Sequence, residues 1–161
     1  MAERRQQQRR RRQEPKPGAA KGTPGGALNG VESFWDGATE RDWAKLLTAA
    51  GRVPIEQNWT YGEAIAAGSP YRPVRGIFRS GGRVVALVQA VAWSIAGTVR
   101  LVKVVRGPLF LDPEPDPAVR DAVYRLIRDR WPLARANALF WTPELADGPE
   151  ADRLMRGLGM H

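Results

Sequence analysis

From Val31 onward the hydrophobic positions of the chain switch between a helical and an alternating rhythm. Trp43, Leu46, Leu47 and Ala50 recur at i, i+3, i+4 and i+7, the spacing of one helix face. Thr39-Glu40-Arg41-Asp42 ahead of them resembles a capping box with aspartate in the glutamate position, and Gly51 follows as a stop. Val31 to Phe34 reads as a short strand before this helix. A second helix is predicted from about Gln57 to Ala67, ended by Gly68, with Trp59, Gly62 and Ala66 on one face and Tyr61, Ala64 and Ile65 beside it. Gly62 costs helix stability relative to alanine, so its presence predicts a close approach by a neighbouring element.

The rhythm then becomes that of strands. "RPVRGIFR" leads to a glycine turn at Ser80 to Gly82, Val84 to Trp93 is apolar on both faces, and Ser94 to Gly97 turns the chain again. In the next strand Val99, Leu101, Lys103 and Val105 alternate with Arg100, Val102, Val104 and Arg106. Together these predict a three-stranded antiparallel meander. Asp116 and Pro117 form an N-cap and N1 pair for a third helix whose stripe is Val119, Ala122, Val123, Leu126 and Ile127, and Trp131-Pro132 ends it. "ANALFW" reads as a further strand, and Asp147-Gly148-Pro149 opens a last helix carrying Leu154, Met155 and Leu158. The fold class is α+β.

Charge changes the picture only at the N-terminus. Residues 1–30 carry eight Arg and Lys against two Glu, so +6 of the formal +8 resides there and the body is nearly neutral. That stretch has no aromatic residue and little apolar surface to offset the cost of ordering, so residues 1–30 are expected to form a disordered basic arm, and residues 31–161 the folded unit. The arm suits RNA, DNA or anionic lipid. No aromatic is interleaved to stack on bases, and a merely solubilising tail is the plain alternative.

Several classes are excluded. The chain has no cysteine and one histidine, His161 at the end, which rules out a thiolate site, a histidine triad or a multi-histidine metal site within it. Arginine, proline and glycine follow the basic start where a secretory signal needs an apolar segment. The longest apolar run, "VVALVQAVAW", is about half of what a membrane helix needs. A cytoplasmic protein is expected.

"FWDGATERDWAKLLTAAGRVPIEQNWTYGEA" together with "RLVKVVRGPLFLD" resembles the first half of FemA/FemB-like proteins of the GNAT acyltransferase fold. The resemblance rests on Trp43 in an early helix, on Gln57-Asn58-Trp59-Thr60-Tyr61-Gly62, and on Arg106-Gly107-Pro108 after a strand. It covers roughly residues 31–161. It implies a mixed, mainly antiparallel sheet flanked by helices, two strands short at the C-terminus, with a missing C-terminal half or a partner chain to complete it. It further implies transfer of an aminoacyl or acyl group to an amine-bearing acceptor such as a cell-wall precursor, with aminoacyl-tRNA or acyl-CoA as donor in complete members. The chain alone is expected to be inactive.

The candidate substrate-binding residues are Arg106, Tyr61, Trp59 and Gln89. Arg106 at a strand end suits a bidentate carboxylate or phosphate clamp, and Gln89 is a lone amide in an apolar strand that needs partners. Core packing is the plain reading of Trp59 and Tyr61. Glu56, Glu63 and Asp112 are the carboxylates placed to serve as general base for an attacking amine, with solvated surface positions as the alternative. No catalytic residue, cofactor site or metal site is assigned. At the place of a GNAT pyrophosphate loop stands "RGPLFLDPEPDPAVR", whose acidic residues and prolines oppose phosphate binding. "RSGGRV" imitates such a loop only at a hairpin. Two rival functions remain: a nucleic-acid-binding protein using the arm, and a non-catalytic substrate-binding domain of the same fold.

Overall fold

A computed structural model describes residues 22–145 and 148–160. The fold is α+β, with four helices among the described residues around a mixed, mostly antiparallel seven-stranded sheet. The strands are β1 (Thr23–Leu28), β2 (Val31–Trp35), β3 (Arg72–Ser80), β4 (Arg83–Ile95), β5 (Val99–Val105), β6 (Leu109–Phe110) and β7 (Asn137–Thr142). The helices are α1 (Glu40–Ala49), α2 (Trp59–Gly68), α3 (Pro117–Arg130) and α4 (Pro149–Gly157), with 3-10 turns at Ile55–Gln57 and Leu133–Arg135. The sheet order is β1-β2-β3-β4-β5-β7, and β6 pairs with β4 beyond the point where β5 leaves it. β3, β4 and β5 form the expected meander; β7 runs parallel to β5, with Arg100 opposite Asn137 and Val105 opposite Thr142.

Each face of the sheet has its own core because neighbouring strand residues point opposite ways. Ile77 and Leu87 join Trp43, Leu47 and Leu109 under α1, whereas Phe78 and Val88 join Val102, Val104, Val123, Ile127 and Trp131 under α3 and α4. The caps follow the sequence: Thr39 Oγ1 accepts from the Asp42 N–H at 3.2 Å, and Asp116 Oδ1 from the Ala118 N–H at 2.7 Å with Pro117 at the first turn.

Two boundaries differ from expectation. Order begins ahead of Val31: β1 lies inside the stretch read as a disordered arm, and pairs with β2 across Asn29-Gly30, both at positive φ. Thr23 to Leu28 lacks apolar alternation, so its pairing rests on backbone hydrogen bonds. Gly25 lies flat on the Trp35 indole, where a Cβ would collide. Arg4, Arg5, Arg9 to Arg12, Lys16 and Lys21, and with them the expected RNA contact, lie outside the described residues. The second helix starts at Trp59 rather than Gln57, because Gln57 closes a separate 3-10 turn and Asn58 caps α2, its Oδ1 accepting from the Thr60 N–H at 3.0 Å.

Candidate functional site

The residues that carry the family resemblance meet at one place, where β4 and β5 part. Ala90 still pairs with Val104, but one step further the strands separate and β6 takes over as the partner of β4. Gln57, fully buried, fills the gap with its amide. Its Nε2 donates to Val105 O at 2.7 Å and Gln89 O at 3.1 Å, and its Oε1 accepts from the Gln89 N–H at 2.7 Å. The side chain thus supplies the hydrogen bonds that an uninterrupted ladder would have made. Trp43 Nε1 donates to Gln57 O at 2.9 Å, which ties α1 to the same turn.

Gln89 serves the structure rather than standing free. Its Nε2 donates to Glu56 O at 3.0 Å and Asn58 O at 2.8 Å, and its Oε1 accepts from Arg75 Nε at 2.8 Å. Arg75 is 8% exposed. Its guanidinium stacks 3.4 Å from the centre of the Trp59 ring, donates to Trp59 O and pairs with Glu63 at 2.9 Å. Burial lowers the Arg75 pKa, against the Glu63 hydrogen bond and charge. Gly62 sits directly over this pair: a Cβ there would lie 2.6 Å from Gln89 Oε1 and 2.9 Å from Arg75 Nη2. The close approach that its glycine implies is made by side chains of β3 and β4.

A pocket of about 270 Å³ opens beside this network, between α2 and the β4–β5 face. Tyr61, Ile65 and Tyr71 form one wall, Val91 and Val105 the floor, and Glu56 and Lys103 supply the charge. Lys103 Nζ stands 4.9 Å from the centre of the Tyr71 ring, a cation–π distance. Glu56 Oε2 is shielded from solvent and has no hydrogen-bond partner; its nearest cation is Arg106 Nη1 at 3.9 Å.

Of the four candidates, Tyr61 and Gln89 line this pocket, and Trp59 does not, being committed to Arg75 and to an edge-on contact with Trp43 at 6.5 Å. Arg106 lies at the margin. It adopts φ +52°, donates its backbone N–H to Thr142 O at 2.8 Å, and pairs through Nη2 with Glu144 at 2.8 Å. Glu144 raises its pKa. Glu144 also pairs with Arg52 at 3.0 Å, so two guanidiniums and two carboxylates close the rim at this end.

Among the three carboxylates, only Glu56 faces the pocket. Glu63 is engaged by Arg75, and Asp112 belongs to a second pocket of about 370 Å³ with Arg83 and Asp116, where its Oδ1 accepts from the Glu114 N–H. There the N-terminus of α3 is occupied by the Asp116 carboxylate, which fits the acidic loop read from the sequence and leaves that helix end poorly suited to a phosphate. Among the described residues, no group of three or more His, Cys, Asp or Glu side chains converges as a metal site would require. No helix of the described residues is long and apolar enough to cross a membrane.

Gln57, Arg75, Tyr71 and Lys103 did not stand out in the sequence as site residues. Lys103 left a signal: it is the one charged member of the Val99, Leu101, Val105 face. Gln57 belongs to the Gln57–Gly62 stretch on which the resemblance rests, but nothing in the sequence marked its amide as a bridge between strands, since a glutamine next to a helix start is ordinary. No protein-family model matches this sequence, and no curated protein matches it.

Proposed function

We propose that this chain forms the acceptor side of a FemA/FemB-like GNAT transferase, holding an amine-bearing acceptor in the pocket between α2 and β4–β5. The observation that carries the reading is Glu56: it lines the pocket with Lys103 as the other charged side chain, and its Oε2 is shielded from solvent, has no hydrogen-bond partner and meets Arg106 only at 3.9 Å. A shielded carboxylate oxygen whose ion-pair partner stands beyond hydrogen-bond distance gains from a donor such as an ammonium. In this reading Glu56 also serves as the general base that takes the proton of the attacking amine. Arg106 holds Glu56 from outside, Tyr61 and Tyr71 enclose the carbon chain of the acceptor, and Lys103 attracts a carboxylate on it. An acyl or aminoacyl donor, acyl-CoA or aminoacyl-tRNA, approaches from elsewhere, since the N-terminus of α3 already carries its own carboxylate.

The test is a nitrogen-15 NMR titration of the full chain with an acetylated lysyl-alanyl-alanine peptide bearing a free side-chain amine. The same peptide with that amine acetylated serves as control. Saturable shifts at Tyr61, Val91 and Lys103 for the free amine only, weakened about tenfold in Glu56→Gln, support the reading. Equal shifts with both peptides, or none, would overturn it.

A further inference from the structure

The exposed large apolar side chains of this chain are not scattered. Of Ile55, Ile95, Val99, Leu133 and Phe140, four lie on the β4–β5 hairpin, the turn before β7, and β7 itself. Ile95 and Val99 face each other across the hairpin end, and the Arg100 N–H donates to Ala136 O at 3.0 Å, which sets the Leu133–Arg135 turn beside the hairpin tip. Leu133 is 82% exposed, Phe140 59%, Val99 39% and Ile95 37%. One step inward, the half-buried rings of Trp93 and Tyr71 lie 5.9 Å apart.

The two segments that form this end carry basic residues and no acidic ones. No acidic residue occurs between Glu63 and Asp112, or between Asp129 and Glu144, the two segments that build β3, β4, β5, the turn and β7. Asp129 at the edge of the second segment is already paired with Arg128 at 2.6 Å. Arg100 and Arg135 therefore flank the aliphatic side chains with no carboxylate from their own segments. Here Ile95, Val99 and Leu133 stand at two adjacent turns, Arg100 and Arg135 belong to the same turns with Arg100 on the opposite sheet face from Val99, and the Trp93–Tyr71 pair lies further along the sheet. Aliphatic, basic and aromatic side chains gathered at one end suit the acyl boundary, the anionic headgroups and the interfacial zone of a membrane.

We propose that this end of the sheet docks onto an anionic lipid surface, Ile95, Val99 and Leu133 entering the headgroup–acyl boundary while Arg100 and Arg135 meet the headgroups. The docking is peripheral and does not depend on the acceptor reading of the pocket. It would place the β4–β5 hairpin at the membrane surface.

The full chain is mixed with vesicles of phosphatidylcholine alone and with vesicles containing phosphatidylglycerol, and the bound fraction is read by flotation. Binding is expected on the anionic vesicles only. It falls about tenfold in the double variant Ile95→Asp, Leu133→Asp, whose exposed positions leave the denaturation midpoint in place. A second variant with Arg9, Arg10, Arg11 and Arg12 changed to Gln separates the basic N-terminal stretch: it weakens binding at low salt but keeps the dependence on Ile95 and Leu133. Three results would each overturn the proposal: equal binding to neutral vesicles, binding indifferent to the Ile95 and Leu133 changes, or binding abolished by the arginine variant alone. Absence of vesicle binding together with self-association that Leu133→Asp abolishes would instead make this face a contact between copies, and would likewise overturn it.

Discussion

Gln57 Nε2 lies 2.7 Å from the point where a Cβ on Gly107 would stand, so the glycine makes room for the amide that bridges the parted strands. The two residues are 50 positions apart in the chain, yet each accounts for the other. Gln57→Ala leaves Gln89 N–H and O and Val105 O unpaired in the interior, and is expected to cost about 2–4 kcal/mol. Gly107→Ala forces the amide aside and should cost about 1–3 kcal/mol. Since both changes damage one arrangement, the double variant Gln57→Ala, Gly107→Ala should be clearly more stable than the sum of the single losses. Urea denaturation of the four proteins measures this; strict additivity would show that the two do not share a contact.

Gly62 offers a test of opposite sign to helix propensity. Alanine in a helix interior is favoured over glycine by about 1 kcal/mol, but at Gly62 the methyl group would meet Gln89 Oε1 and Arg75 Nη2. Gly62→Ala is therefore expected to destabilise, while Gly68→Ala at the open end of the same helix, where nothing stands within 4 Å, is neutral or stabilising. Thermal midpoints decide; a stabilised Gly62→Ala would mean that α2 does not pack against this pair.

Arg75 and Glu63 form an ion pair of unequal halves, one 8% and the other 53% exposed on the side chain. Glu63→Gln keeps a hydrogen-bond acceptor in a solvated place and should cost less than about 1 kcal/mol. Arg75→Ala strips donors from Gln89 Oε1 and Trp59 O and removes the ring stack, which should cost about 2–4 kcal/mol. Arg75→Lys recovers only part of that, because an ammonium lacks the planar fork. Comparable losses for Glu63→Gln and Arg75→Ala would place the energy in the ion pair instead.

Tyr124 gives the chain an alkaline limit. Burial, slightly opposed by Arg120, raises its pKa from 10.0 to about 12, and its ring stacks on Trp141 at 5.1 Å in the core under α3. A folded pKa above the unfolded one favours the protonated form in the native state. The contribution is therefore complete below pH 10 and is lost as pH rises from 10 to about 12. The pKa difference corresponds to up to roughly 2–3 kcal/mol. The difference in stability between the native protein and Tyr124→Phe, followed by denaturation across that range, should fall with pH; a flat difference would mean that the hydroxyl is solvated.

The pocket makes a separate demand on Lys103. If it attracts a carboxylate on the acceptor, Lys103→Met should weaken binding of a free-acid peptide about tenfold and leave the corresponding amide unaffected. Calorimetry on the two peptides distinguishes this from a packing role, which would weaken both alike.

The elements that announce themselves do so by local rules. α1 and α3 were legible because a capping residue and an apolar stripe lie within a few positions of each other, and the meander because a strand apolar on both faces and an alternating one are set off by turns that carry glycine. β1 was not legible: Thr23 to Leu28 has neither alternation nor large apolar residues, and it is a strand because β2 presents a row of unpaired backbone groups and Trp35 a flat ring for Gly25. The site was legible in part. Tyr61 and Gln89 stood out as an aromatic in a polar run and an amide in an apolar one. Which of Glu56, Glu63 and Asp112 faced a pocket was invisible, because their neighbours are distant in sequence.

The order and type of most elements, the two-faced central strand and the absence of cysteine or histidine chemistry follow from the amino-acid sequence, since each depends on spacing or on residue type. The role of Gln57 does not, because its partners lie 32 and 48 residues away. Nor does the burial of Arg75, or the gathering of Ile95, Val99 and Leu133 at one end of the sheet. Those depend on which strands become neighbours and where β5 parts from β4, and a hydrogen bond or an exposed patch exists only once the chain has brought its distant segments together.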